Sequence, residues 1–332
     1  MLKKKDLKFI SDRLALKRPT EFIYFPKYFE IETVSHCNAK CDMCPVPVPG
    51  LIQKGVMKDV LFQKICEQLS PFSAWIEAVC LSRNGEPLLD KKIAVKIKKL
   101  KEINIQNVLF TTNGALLDQR RSLELIEAGL DEIRISIDGA TKETFESIRK
   151  GLDFESVVEN ALNFIRLRNE SRSKTKVQIR LVKQERNFHE VTEWLVFWQS
   201  RLGPNDRIGA KGIHSWGNSM PSEKNAKSVD NGLPCISPFS SLAILFDGTV
   251  PLCGCDYKPV YRFGNINEVS IAEIWRSQKL DAMRSVHLEG RKSEIPMCNG
   301  CKIWDLEIRN IWEPVRPSWK ERPNLGPSPS SA

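Results

Sequence analysis

The sequence predicts an α/β fold, a partial (β/α)6 barrel of parallel strands followed by a small C-terminal module. Three observations predict it. Apolar strand-like segments alternate with helical segments six times, at roughly 30-residue spacing, which is the pattern of a parallel sheet with helices outside. Six such units, where a full barrel has eight, leave the barrel incomplete. Beyond residue 234 the alternation stops, and cysteines and turn signals replace it.

The elements follow in order. Residues 1–28 are a basic N-terminal extension without periodicity, an extended segment or a short helix carrying Lys3, Lys4, Lys5 and Lys8. Phe29-Glu30-Ile31-Glu32 alternates apolar and polar and predicts the first strand. A Cys- and Pro-rich loop covers 35–52, a helical pattern 58–70, and Ala78-Val79-Cys80-Leu81 reads as the second strand. Helices over 91–103, 115–128, 141–168 and 188–201 then lead to strands over 106–111, 132–138, 176–183 and 207–213. This core domain spans 29–215. Residues 214–234, rich in Ser, Asn, Gly and Lys, read as a linker or lid. Segments 241–246 and 249–252 flank Asp247-Gly248, which predicts a β-hairpin. A helix with Ile271, Ile274, Trp275 and Leu280 on one face follows, ahead of Cys298 and Cys301. The second domain spans 216–313, and the Pro- and Ser-rich tail 314–332 is expected to be flexible.

Composition narrows the function classes. Of the 332 residues 41% are hydrophobic and 27% charged, enough for a sizeable core and unlike a disordered chain. The net charge of +9 suits either an anionic substrate or a generally basic surface. It follows no stripe of Arg and aromatic residues, so no nucleic-acid partner is expected. No apolar run is long enough to span a membrane, and the N-terminal lysines precede no apolar core of a signal peptide. A cytoplasmic location is therefore expected, where the 10 cysteines point to metal or cluster binding rather than disulfides.

The chemistry sits in two cysteine groups. Cys37, Cys41 and Cys44 follow the first strand as Cys-x3-Cys-x2-Cys. Three thiolates at this spacing can hold one face of an iron–sulfur cubane and leave the fourth iron open for a reacting molecule. This arrangement resembles the radical S-adenosylmethionine (SAM) superfamily. The resemblance implies a partial TIM barrel, a [4Fe–4S] cluster on these cysteines, and reductive cleavage of SAM to a 5′-deoxyadenosyl radical that removes hydrogen from substrate. Asn84-Gly85-Glu86-Pro87 is similar to the family's Gly-Gly-Glu-Pro segment, with Asn84 replacing its first glycine. By that similarity Gly85 and Glu86 meet the SAM amino group. Thr111-Thr112-Asn113-Gly114 and Ser136-Ile137-Asp138 end the third and fourth strands. The resemblance places Ser136 on SAM and Asn113 beside it; strand-end capping is the alternative for both.

Cys235, Cys253, Cys298 and Cys301 form the second group. With Phe263-Gly264-Asn265-Ile266 and Ile274-Trp275 it resembles the SPASM/twitch module, which implies a second, auxiliary [4Fe–4S] cluster. A four-cysteine zinc ribbon is the alternative on spacing alone. Cys255 is left over, either a hydrogen-atom donor to a substrate radical, or an alternative ligand or spectator. Cys66 and Cys80 read as core.

Cys37-Asn38, Cys44-Pro45 and Gly85-Glu86-Pro87-Leu88-Leu89 resemble the aminocyclitol and aminoglycoside dehydrogenases and epimerases. That implies a sugar or cyclitol substrate and a flavodoxin- or ferredoxin-like electron donor. An epimerase would use Cys255 to quench the carbon radical. A dehydrogenase would need a base near the hydroxyl, with Arg180, Glu190 and His214 as candidates. Two other readings remain. Peptide modification is disfavoured because only 28 residues precede the first strand, and a non-catalytic metal module for nucleic acid or protein leaves the first cysteine group unexplained.

Overall fold

The computed structural model describes residues 4–18, 20–213, 216–217 and 234–301. The six expected strands are β1 (Tyr28–Ile31), β2 (Ala78–Cys80), β3 (Val108–Thr112), β4 (Glu132–Ser136), β5 (Lys176–Lys183) and β6 (Arg207–Gly212). Each pairs in parallel with its neighbour in sequence. A seventh strand, β7 (Ser241–Ile244), pairs in parallel with β1 and gives the sheet order β6-β5-β4-β3-β2-β1-β7.

The two faces of the sheet differ in chemistry. Phe29, Ile31, Val79, Phe110, Ile133, Ile135, Val177 and Ile179 form one row and are buried in the main core. Side chains alternate along a strand, so the other row, with Glu30, Thr111, Glu132, Arg134, Ser136, Gln178 and Arg180, lies inside the curved sheet. The interior is therefore polar, which suits a site rather than a filled barrel.

The helices cover the apolar row. They are α2 (Asp59–Leu69), α3 (Ile93–Glu102), α4 (Gln119–Glu127), α5 (Lys142–Ile148), α6 (Phe154–Glu170) and α7 (Val191–Gln199), whereas α1 (Lys4–Arg13) packs in a separate cluster. Side-chain caps set their starts: Asp118 accepts from Arg121 N–H, and Asp153 from Ser156 N–H. None of the described helices is long and apolar enough to cross a membrane.

The C-terminal region departs from expectation. It contains α8 (Ser237–Ser240), β8 (Thr249–Pro251), β9 (Arg262–Asn265), α9 (Ile271–Trp275) and α10 (Gln278–Leu288). The turn at Asp247-Gly248 exists, with Gly248 at φ +90° and Leu245 N–H bonded to the Thr249 carbonyl. It does not make the expected hairpin ladder. β7 leaves to satisfy the open edge of β1, and β8 pairs antiparallel with β9. The core sheet thus takes a strand from beyond residue 215. The expected helix through 271–280 is two helices, because Ser277 adopts an extended N-cap and accepts from Leu280 N–H. The N-terminal extension is also structured. Ile10, Leu14 and Phe22 pack with Ile236, Phe239 and Leu288, and Cys235 borders that cluster. The tail 314–332 and all of 214–234 except Trp216, Gly217 and Pro234 lie outside the described residues.

Candidate active site

The loop after β1 is pinned before it presents its thiols. Ser35 Oγ accepts from Gly55 N–H at 2.7 Å and donates to the Gln53 carbonyl at 2.8 Å. Cys44 N–H closes a turn on the Cys41 carbonyl, and Lys40 N–H bonds the Lys150 carbonyl. Cys37, Cys41 and Cys44 then line a cavity of about 210 Å³ with Gly85, Glu86, Asn113 and Ser136. The cavity lies at the C-terminal ends of the strands, where ligands bind in such sheets.

Burial raises all three thiols, Cys37 to about 11 and Cys44 to about 12. A metal that replaced their protons would relieve that cost. Among the described residues no three cysteines bring their sulfurs within 4.8 Å of one another. A tetrahedral zinc site would hold its sulfurs about 3.8 Å apart, given Zn–S bonds of about 2.3 Å. Three thiols in one cavity are the soft donor set that an iron–sulfur group takes. Arg149 adds a cation: its Nη1 is 4.0 Å from Cys41 Sγ while its Nε donates to Asp138 at 2.7 Å.

Gly85 lets two loops touch. A Cβ there would overlap the Val34 carbonyl and stand 2.7 Å from the His36 carbonyl oxygen. The next residue bonds through its N–H to His36 O at 2.7 Å. The Glu86 carboxylate is spent within the protein. It accepts from Thr112 Oγ1 at 2.7 Å, Asn113 N–H at 2.8 Å and Leu88 N–H at 3.1 Å. Burial raises its pKa against these bonds. Glu86 thus fastens β3 to the loop after β2. Asn113 donates to Asn38 Oδ1 at 2.8 Å, tying the same strand to the cysteine loop. The Ser136 hydroxyl lines the cavity and has no protein partner among the described residues.

The second group gathers around a turn. Cys298 N–H bonds Ile295 O, Cys301 N–H bonds Cys298 O, and Cys235 N–H donates to His287 Nδ1 at 3.2 Å. Burial raises Cys235 and Cys298 and holds His287 down to about 4. Cys255 is buried at 6% exposure, its thiol within hydrogen-bonding reach of Cys253 and Cys301, which together with burial push it up. It does not line the cavity. The structure brings Cys255 to the auxiliary thiols.

The three candidates near a substrate hydroxyl separate clearly. Glu190 caps α5: its carboxylate accepts from Ala140 N–H, Thr141 Oγ1 and Thr144 Oγ1 at 2.7, 2.6 and 2.5 Å. Those bonds occupy both of its oxygens. His214 lies outside the described residues. Arg180, on β5 one pleat below the cavity-lining Val182, is half-buried with no hydrogen-bond or ion-pair partner among the described residues. Burial and nearby Arg134 lower it to about 10. Sequence reasoning missed Arg83 and Arg149, both on the cavity wall. Neither belongs to a spacing motif; each acts on cysteines far along the chain.

Comparison with known proteins gives this geometry a context. A model of the radical SAM superfamily matches residues 31–187, and the SPASM model, an iron–sulfur cluster-binding domain, matches 235–302. Over 290 residues the chain is 24% identical to the S-adenosyl-L-methionine-dependent 2-deoxy-scyllo-inosamine dehydrogenase of Niallia circulans, covering 86% of this chain and 96% of that protein. The crystal structure of BtrN with AdoMet and 2-DOIA is similar at a TM-score of 0.57 and 20% identity, over 83% of this chain and 93% of that one. Streptococcus suis SuiB bound to precursor peptide SuiA is similar at 0.61 and 14% identity, over 79% of this chain and 67% of that one.

Proposed function

Because the chain belongs to the radical SAM superfamily, an enzyme family whose cofactors are [4Fe–4S] clusters and SAM, we propose that it oxidises a hydroxyl-bearing carbon of a small cyclitol- or sugar-type substrate to a ketone. Cys37, Cys41 and Cys44 would hold the first cluster, and Cys235, Cys253, Cys298 and Cys301 the second. Gly85 and Ser136 would meet SAM, with Glu86 and Asn113 fixing the loops that carry them. When bound, these groups supply a 5′-deoxyadenosyl radical to take hydrogen and an acceptor for the remaining electron.

One observation favours oxidation over epimerisation: the spare thiol, Cys255, is buried against the auxiliary cysteines and absent from the cavity wall. The chain's own contribution to the proton is Arg180. Its guanidinium, projecting from the inner row of β5, can donate to the substrate hydroxyl oxygen and make that hydroxyl more acidic, so that the hydroxyl proton passes to water as the electron leaves. A cytoplasmic flavodoxin- or ferredoxin-like protein is the proposed electron donor. The likeness to SuiB extends to the fold and carries no peptide substrate here.

The test is anaerobic reconstitution with iron and sulfide, reduction, and addition of SAM with 2-deoxy-scyllo-inosamine and related cyclitols. Expected are about eight irons per chain, 5′-deoxyadenosine, and a ketone. Zinc in place of iron with no 5′-deoxyadenosine would sink the enzyme reading. An epimer carrying solvent deuterium would replace oxidation by epimerisation.

A further inference from the structure

Arg83 follows β2 and lines the cavity of the first cysteine group. Its Nη2 reaches the second group as well. It donates to the Cys253 carbonyl at 3.1 Å and the Asp256 carbonyl at 2.9 Å, across 170 and 173 residues of sequence. One guanidinium nitrogen therefore clamps both ends of the turn that carries Cys253 and Cys255.

The rest of the turn is fitted to the same place. A Cβ on Gly254 would overlap the Glu30 carboxylate of β1, so the turn lies flat against the barrel interior. Asp256 organises its far side, accepting from Val260 N–H at 2.9 Å and Tyr261 N–H at 3.1 Å. Arg83 Nε and Nη1 are buried and have no hydrogen-bond partner among the described residues. The carboxyl groups that feel its charge, Glu30, Glu32 and Asp256, are themselves buried and raised in pKa, which weakens their compensation of the cation.

We infer that Arg83 is a positioning residue shared by the two sites: it holds the Cys253–Asp256 turn against the cavity and sets the reduction potential of the group on the four auxiliary cysteines. The inference rests on the reading of those cysteines as a cluster site. A buried positive charge beside a ligand turn stabilises the added electron, and the fixed fork keeps that charge at a constant distance.

The experiment uses reconstituted protein in a Cys37→Ala, Cys41→Ala, Cys44→Ala background, so that only the auxiliary cluster titrates. Its midpoint is followed by electron paramagnetic resonance during a redox titration, with iron counted in each sample. Arg83→Met is expected to lower the midpoint enough to cut the reduced-to-oxidised ratio about tenfold at the parent's midpoint, about 59 mV for one electron. Arg83→Lys, which keeps the charge, should stay near the parent. If Arg83→Met takes up no iron, Arg83→Gln replaces it, keeping a donor for the two carbonyls without the charge, and the same drop is expected. An unchanged midpoint in the neutral variant, or equal shifts in the lysine and neutral variants, overturns the inference. A parent that binds no iron would instead overturn the cluster reading itself.

Discussion

Gly85 is the position least able to change. Gly85→Ala would force the loop after β2 away from the Val34 and His36 carbonyls, so a loss of about 2 kcal/mol or more is expected. Thermal unfolding of the anaerobic protein would show it, together with weakened SAM binding. Arg149 makes a different prediction. It is the cation nearest the first thiols, and Arg149→Met should shift the first cluster to lower potential in a redox titration, with the auxiliary signal unmoved. The cysteines of the first group were legible because one loop carries all three at a recognisable spacing. Arg149 was not, because the contact that gives it meaning lies 108 residues away. Glu86 shows a third case. Its motif was readable, yet three internal donors occupy its carboxylate, and nothing in the sequence said so.

At the level of elements, Glu190 couples the segment before α7 to the start of α5. Burial alone would raise its pKa, but bonds from Thr141, Thr144 and the Ala140 N–H outweigh that and leave it lowered. A lowered carboxylate stabilises the fold above its unfolded pKa and loses that contribution as pH falls through the folded value. Glu190→Gln should therefore cost about 1–2 kcal/mol at neutral pH. The gap from wild type should close below about pH 4, near the unfolded pKa of a glutamate, as read by denaturant titrations across pH. Strands β1 to β5 were legible because their outer positions are buried Val, Ile, Leu or Phe, and β6 because it closes the sixth strand–helix repeat. β7 was not, because Asp247-Gly248 signals a turn without saying which partners the flanking strands choose. That choice was made by the open edge of β1.

Across the whole molecule, α1 meets α8 and α10 beside Cys235 of the second cysteine group. Ile10 of α1 is fully buried with Phe239 and Leu288, beside Cys235. Ile10→Asp would place a carboxylate there, and a loss of about 3 kcal/mol is expected. Thermal unfolding should fall, and iron retained by the auxiliary group should fall with it. The pairing of β1 with β7 has a consequence for how the protein is made. Tyr28–Ile31 leaves the ribosome early, and Ser241–Ile244 follows about 210 residues later. At about 5–20 residues per second, the outer edge of β1 waits roughly 10–40 seconds for its partner. During that interval the nascent barrel carries a bare strand next to three reactive thiols. Completion of the sheet, and protection of that edge from self-association, thus wait until Ser241–Ile244 has been made.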